Sequence, residues 1–292
     1  MFFWKMRLWE NLPTPNITLC LCVFALIQFL GGIGLNIVAP NVVTTAVTGF
    51  DPLARPNRTS GRVHIPTLSV NIFTNCIPSA PNVTVIDATI RSFERTWNVS
   101  MEDQNCRIYL DPHPKQEALL DYKKALEQYC PVTLTRGLAD AYIKSITATR
   151  TQFAFQLEHD WLFIPERISH PLRFIVDVMN TTQMDHLRFN KRKNVVGGWD
   201  RWLKELEPYP GFKCCETPIR SNNPHIIDTV QYRRTILKFI NKNKSSRGGV
   251  EDVLIRAQRE KLIKGGYIYG PLNHSSTVKH LDGREKKKIR LH

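Results

Sequence analysis

The chain has 292 residues, with 40 Lys and Arg against 26 Asp and Glu, giving a formal net charge of +14. Apolar residues make up 42% and aromatic residues 10%, enough to pack a core, so a disordered or collagen-like chain is excluded. The basic excess raises nucleic acid, phosphate-bearing small molecules, anionic glycans and lipid headgroups as partners to be weighed.

Residues Ile17 to Val38 are almost continuously apolar, which matches the ~30 Å hydrocarbon core when helical. Lys5 and Arg7 precede the run and no Lys or Arg follows until Arg55, so residues 1–16 are expected to stay cytoplasmic, with 17–38 as a signal anchor in the bilayer. A cleaved signal peptide is the alternative, against which the run is long and Ile37-Val38-Ala39-Pro40 a poor exit. Residues 39–67, rich in Pro, Gly and Thr without a period, read as a stem. Beyond the anchor, Asn57, Asn82, Asn98, Asn180, Asn243 and Asn273 each open an Asn-x-Ser/Thr sequon, which agrees with an exported body. That compartment permits disulfides among Cys76, Cys106, Cys130, Cys214 and Cys215. Neighbouring Cys214 and Cys215 are expected to choose distant partners rather than each other.

The folded body is expected over 68–285, with a basic tail at 286–292. Leu68 to Thr74 alternates as a strand, Val83 to Trp97 has helical spacing, and Cys106 to Leu110 is a second strand stopped by Asp111-Pro112. Lys115 to Tyr129 and Leu138 to Thr149 read as helices, and Gln152 to Leu157 is an apolar run that ends abruptly in charge. This β-α-β-α-β alternation predicts an α/β fold with a mostly parallel sheet flanked by helices. In the less regular second half, His186 to Asn190 is expected as a strand, Trp199 to Leu206 as a short helix, Val250 to Lys264 as a helix and Gly266 to Tyr269 as a strand.

The segment Glu158-His159-Asp160-Trp161 stands where that apolar run ends. In open α/β sheets, ligands collect at the carboxyl ends of strands, where the strand order reverses. Carboxylates at i and i+2 of an extended segment point the same way, and their hard oxygens suit Mn²⁺ or Mg²⁺ bridging a diphosphate. A solvated acidic turn is the plainer reading. Gly248-Gly-Val-Glu-Asp252 leads into the last long helix, where Glu251 and Asp252 would sit favourably on the helix dipole. No G-x-S-x-G, P-loop, G-x-G-x-x-G or C-x₂-C pattern occurs, which leaves hydrolase, NTPase, dinucleotide and zinc readings without support.

Taken together, Phe155-Gln-Leu-Glu-His-Asp-Trp161 resembles the acidic D-x-D-type motif of GT-A-fold glycosyltransferases, with Glu in its first place. Thr135-Arg-Gly-Leu-Ala-Asp-Ala-Tyr142 and Val70-Asn-Ile-Phe-Thr-Asn75 resemble the donor-side segment and first nucleotide-binding strand of such enzymes. The resemblance covers about residues 68–285 as an order of elements. It implies a GT-A-like, Rossmann-type sheet with Glu158 and Asp160 holding Mn²⁺ or Mg²⁺ on the donor diphosphate. Thr74, Asn75 and Asp111 would face the nucleoside, and Arg136 and Asp140 the ribose or phosphate. Asp111 before Pro112 is also a good turn former on its own. In inverting members a carboxylate at the Glu-Asp pair takes the acceptor proton, so Asp252 is the expected base with Glu251 next. A C-terminal histidine often joins the metal; His280 fits best, with His274 as the spare, and Arg284 would pair with phosphate oxygens.

The implied function is transfer of a sugar from a UDP- or GDP-sugar to a hydroxyl of a glycan or glycoprotein, by a single-pass type II protein of the Golgi or ER membrane with its catalytic domain in the lumen. The alternative is a membrane-anchored lumenal protein that binds glycans without catalysis. Basic clusters at Arg188 to Lys193, Arg233 to Arg247 and Arg284 to Arg290 then read mainly as solvated surface, and no nucleic-acid partner is expected.

Overall fold

The computed structural model describes residues 65, 67–75, 82–112, 119–200, 202–242 and 250–281. Contacts divide the chain into residues 1–51 and 52–292. The expected anchor at 17–38, the stem, Gly248-Gly249, Arg284 and the basic tail lie outside the described residues. Among the described residues no helix is long and apolar enough to cross a membrane.

The chain runs β1 (Leu68–Asn75), α1 (Thr84–Trp97), β2 (Asn105–Asp111), α2 (Leu119–Glu127), β3 (Val132–Leu134), α3 (Leu138–Ala148), β4 (Phe153–Glu158), β5 (Trp161–Phe163) and α4 (Leu172–Thr182). Then follow β6 (His186–Arg188), β7 (Lys204–Tyr209), β8 (Phe212–Thr217), β9 (His225–Asp228), α5 (Thr229–Thr235), α6 (Leu237–Lys242), α7 (Val250–Arg259), β10 (Gly266–Tyr269) and β11 (Val278–His280). Nine strands form one sheet in the order β3-β2-β1-β4-β9-β6-β10-β8-β7, and β11 pairs with β5 in a second, small one. Within the large sheet β8 and β9 run against the other strands, so the sheet is mixed but mostly parallel, as the alternation predicts.

The order of β1, β2 and β3 runs outward from β1, whereas β4 adds on the other side of β1. The strand order thus switches between β1 and β4, the place on an open α/β sheet where ligands collect at the carboxyl edge. Alternation along the strands sorts the side chains into two layers. Leu68, Val70 and Ile72 of β1 and Phe155 and Leu157 of β4 pack on one face with Phe93 and Trp97 of α1 and Ile175 of α4. On the other face Phe73 and Ala154 pack with Tyr142 of α3, Tyr232 of α5 and Leu254 of α7. Gln156 and Glu158 share the phase of Ala154 and so face this second layer.

Two expectations fail here. Trp199 to Leu206 is not a helix; the chain loops to Leu203 and then forms β7, an exposed edge strand set by its pairing with β8. No apolar alternation marks it, because neither face of an exposed edge is buried. Cys214 and Cys215 form no disulfide with distant partners: both are buried free thiols on β8, one packed on each face, and burial pushes them up to about 12 and about 11. Cys106 in β2 is bonded to Cys130, beyond α2.

Candidate functional site

The acidic pair lies at the carboxyl end of β4, at the switch in strand order beside β1. Glu158 is the last residue of the strand, opposite Phe73 of β1. His159 and Asp160 form a turn rather than a continued strand, so the two carboxylates do not share a face by period-two alternation. The turn is pinned on both sides. The His159 N–H donates to the Phe73 carbonyl at 3.0 Å, and the Thr89 hydroxyl of α1 donates to the His159 carbonyl at 2.5 Å. The acids stay close enough to interact. Glu158 is pushed up to about 8, first by desolvation and then by the charges of Asp160 and Glu251, with Lys191 opposing.

The C-terminal segment reaches the site through β11. His280 pairs with Trp161 in register, its ring meets the indole edge-on at 4.5 Å, and its Nε2 stands 3.0 Å from Asp160 Oδ2. The Leu281 N–H donates to the Asp160 carbonyl at 2.7 Å and closes the clasp. His274 lies elsewhere, donating from Nε2 to the Arg167 carbonyl at 2.9 Å.

From the other layer, α7 brings Glu251, whose charge is felt by Glu158, Tyr142 and Arg188. Its neighbour Asp252 is exposed to solvent. The helix phase decides this. Val250, Val253, Leu254 and Ala257 are buried, and Glu251 sits three positions before Leu254 on the edge of that face. Asp252 lines up with exposed Arg256. Beneath Glu158 and Glu251 lies a neutral polar floor. The Asn223 carbonyl accepts from His225 Nδ1 at 2.7 Å, so His225 Nε2 accepts from the Tyr142 hydroxyl at 3.0 Å.

One residue of the site carried no signal that tied it to the acids. Lys191, after β6, holds its Nζ 5.5 Å over the Trp161 ring and lies near enough to Glu158 to oppose its rise. The basic cluster at 188–193 contains it, but only the strand order places that cluster beside β4's end.

The residues expected around the nucleoside gather at the ends of β1 and β2. Asn75 is exposed and paired in register with Asp111. Asp111 Oδ1 accepts from the Gly137 N–H at 2.9 Å, and Asp140 Oδ2 accepts from the Arg136 N–H at 3.0 Å and pairs with Lys144 at 2.8 Å. Thr74 turns inward, its hydroxyl 3.1 Å from that of Tyr122. Asp111 and Asp140 thus hold the loop that enters α3, and Gly137, at φ +96°, supplies the left-handed backbone the loop needs.

Among the described residues no group of three or more His, Cys, Asp or Glu side chains forms a ready metal cage. The donor set present still suits a hard cation. Asp160 Oδ1 is buried without a hydrogen-bond partner while Oδ2 sits beside His280. Mg²⁺-type ions commonly take one or two carboxylates and complete their shell with substrate phosphate and water.

No protein-family model and no curated protein sequence matches this chain. Among solved structures the fold is similar to UDP-glucose pyrophosphorylase complexed with UDP-glucose, at 11% identity and a TM-score of 0.44, over 75% of this chain and 95% of that one. It is also similar to residues 1–349 of S. aureus TarS, at 11% identity and 0.43, and to GalNAc-T7 with UDP, GalNAc and Mn²⁺, at 13% identity and 0.49. The match covers 73% of this chain in both, and the chain spans only 59% and 43% of those two. These are weak likenesses of backbone course, and no residue role is carried over from them.

Proposed function

We propose that the protein is a metal-assisted glycosyltransferase that moves a sugar from a nucleoside-diphosphate sugar to an acceptor hydroxyl. One observation carries this reading: Glu158, Asp160, Glu251, Lys191 and His280, drawn from separate stretches of the chain, converge at the carboxyl edge of the sheet where the strand order reverses. Asn75 and Asp111 stand at the neighbouring strand ends, where the nucleoside would lie. Asp160 and His280, with Glu158 behind them, would hold Mn²⁺ or Mg²⁺, which supplies positive charge to the departing diphosphate.

The chain's own groups account for the remaining steps. Lys191 sits where a cation attracts the diphosphate before and after the bond to the anomeric carbon breaks. Glu251 takes the proton of the acceptor hydroxyl as its oxygen bonds to that carbon, and the nucleoside diphosphate leaves with the bonding pair. Glu251 is preferred to Asp252 because it is the one beside Glu158. Tyr142 and His225 stay neutral beneath the acids, and both are held there by burial.

The body is proposed to lie in an oxidising, lumenal compartment behind an anchor at 17–38. The Cys106–Cys130 disulfide and the exposure of Asn82, Asn98, Asn180 and Asn273 support this.

The test is a panel of UDP- and GDP-sugars incubated with the full chain in detergent, with Mn²⁺, with Mg²⁺ or with EDTA. Hydrolysis or transfer that needs the cation and falls by about 10³-fold in Asp160→Ala, and by about 10²–10⁴-fold in Glu251→Gln, is expected. Turnover indifferent to EDTA and to Asp160→Ala would overturn the reading.

A further inference from the structure

We infer that the groove beside α7 binds an oligosaccharide chain and leads it to Glu251. The groove has a volume of about 880 Å³ and runs between α7 and the β7–β8 edge. Trp199 and Trp202 stand in its wall, 60% and 77% exposed. Two large apolar rings left that open, within one turn of chain, mark a surface that a ligand covers.

The loop that carries them is not loose. Between the two tryptophans, Asp200 is buried and ion-paired with buried Arg188, and its second oxygen accepts from Asn190 Nδ2 at 3.2 Å. The Arg192 guanidinium lies 5.0 Å over the Trp199 ring. The indoles are thus presented by a fixed frame, which spares a ligand the cost of ordering them.

The chemistry of the walls selects the ligand. Flat indole faces suit the C–H faces of sugar rings, while Lys204, Glu216 and Arg259 put both donors and acceptors on the rim for hydroxyls. Single-stranded nucleic acid would also stack on tryptophan. Lys204 and Arg259 would meet its phosphates while Glu216 opposes them, so nucleic acid enters the test as the competing occupant; for a neutral sugar the same three groups all find hydroxyl partners. Continuity gives the direction. Ile255, in the groove, is four residues after Glu251, and Gln258 seven after, so all three share one stripe of α7. The groove begins about 6 Å along the helix axis from Glu251, one helical turn. A chain lying on the tryptophans can therefore present its end hydroxyl to that carboxylate. This link to Glu251 rests on the transferase reading; the binding itself does not.

The experiment titrates the full chain in detergent, without nucleotide-sugar or metal, with chitotetraose, maltotetraose, cellotetraose and mannotetraose. Binding is followed by calorimetry and by indole fluorescence, and a dT₁₂ oligonucleotide and sedimentation of the protein alone serve as controls. Saturable binding of at least one tetrasaccharide is expected, weakened at least about tenfold in Trp199→Ala/Trp202→Ala and in Trp202→Ala alone, with Trp202→Phe keeping most of the affinity through its flat face. Exposed Trp202 tolerates replacement, and an unchanged thermal midpoint confirms that each variant is folded. The inference is overturned if no tetrasaccharide binds, if binding ignores both tryptophans, if dT₁₂ competes for the groove, or if Trp202→Ala abolishes self-association instead. Failure of the transferase reading looks different: the tetrasaccharide binds through the tryptophans while no nucleotide-sugar turns over.

Discussion

The two flanks of the nine-stranded sheet are held by different chemistry. From β3 to β4 the strands are parallel and joined by helices, and their buried side chains are mainly apolar, such as Ile72, Ile108, Phe155 and Leu157. From β9 to β8 the strands run both ways, and their interior carries Arg188, Arg220, His186, His225, Asn190 and Asn194, all buried. Arg220 alone reaches Asp185, the Tyr232 hydroxyl and the carbonyls of Lys264 and Gly265. An apolar layer is held without direction, and a truncated side chain costs in proportion to the atoms and cavity involved. A polar interior is specified pair by pair, and each broken pair leaves an unsolvated partner.

The sharpest way to break this contrast is Asp200→Ala. It strands the buried Arg188 guanidinium, and a loss of about 3–5 kcal/mol is expected in urea unfolding, with the Trp199–Trp202 loop released at the same time. Replacing both partners together, Arg188→Met with Asp200→Leu, should recover most of that loss; equal damage from the single and double changes would show that the pair itself matters little.

The next effect is on pH dependence. His225 is held down to about 4 by burial, against an ordinary value of 6.5, with Arg188 and Arg220 adding to the shift and the Asn223 carbonyl opposing it. The unfolded chain therefore takes the proton first as pH falls. Stability from the neutral ring is complete above about 6.5 and is lost as pH drops toward 4, by roughly 3 kcal/mol at most. Thermal midpoints between pH 7 and 4.5 should fall less steeply in His225→Gln than in the wild type; parallel slopes would remove His225 from the account.

The smallest effect belongs to the parallel flank. Gly137→Ala meets no atom within 4 Å, so only its φ of +96° opposes the change. About 1 kcal/mol is expected in the same urea assay, and a loss as large as that of Asp200→Ala would erase the contrast.

The same contrast decides how much could be read from the residues. β1, α1, β2, α3 and β4 are legible because their apolar residues repeat with a clean period over eight or more positions or end at clear turn formers. Leu172, Ile175, Val176 and Met179 of α4 keep helical spacing too, and that helix was open to the same reading. β6 is expected within His186 to Asn190 and found there, whereas β9, four residues long, is not foreseen, and Arg188 and His225 look like surface until their partners are known. β7 failed as a helix because alternating charges on an exposed edge have no face to declare. At the site, Glu158, Asp160, Glu251 and His280 stand out as motifs, yet their spacing does not fix their geometry. Asp160 sits in a turn, the choice between Glu251 and Asp252 follows from helix phase, and Lys191 arrives only through strand order. The disulfide could not be chosen from spacing, since Cys106 and Cys130 meet only because β2 and β3 pair in parallel, with Ile108 beside Val132 two places further along each.

The β5–β11 clasp also sets a timetable. Asp160 leaves the ribosome about 120 residues ahead of His280, an interval of roughly 6–24 s at ordinary rates of synthesis. During that interval the sheet through β4 can assemble, but Trp161 has no strand beside it and Asp160 has no imidazole. The nascent chain thus carries the acidic turn before its β11 partner has been made. The contacts around Asp160 are complete only once β11, the last of the described strands, is in place.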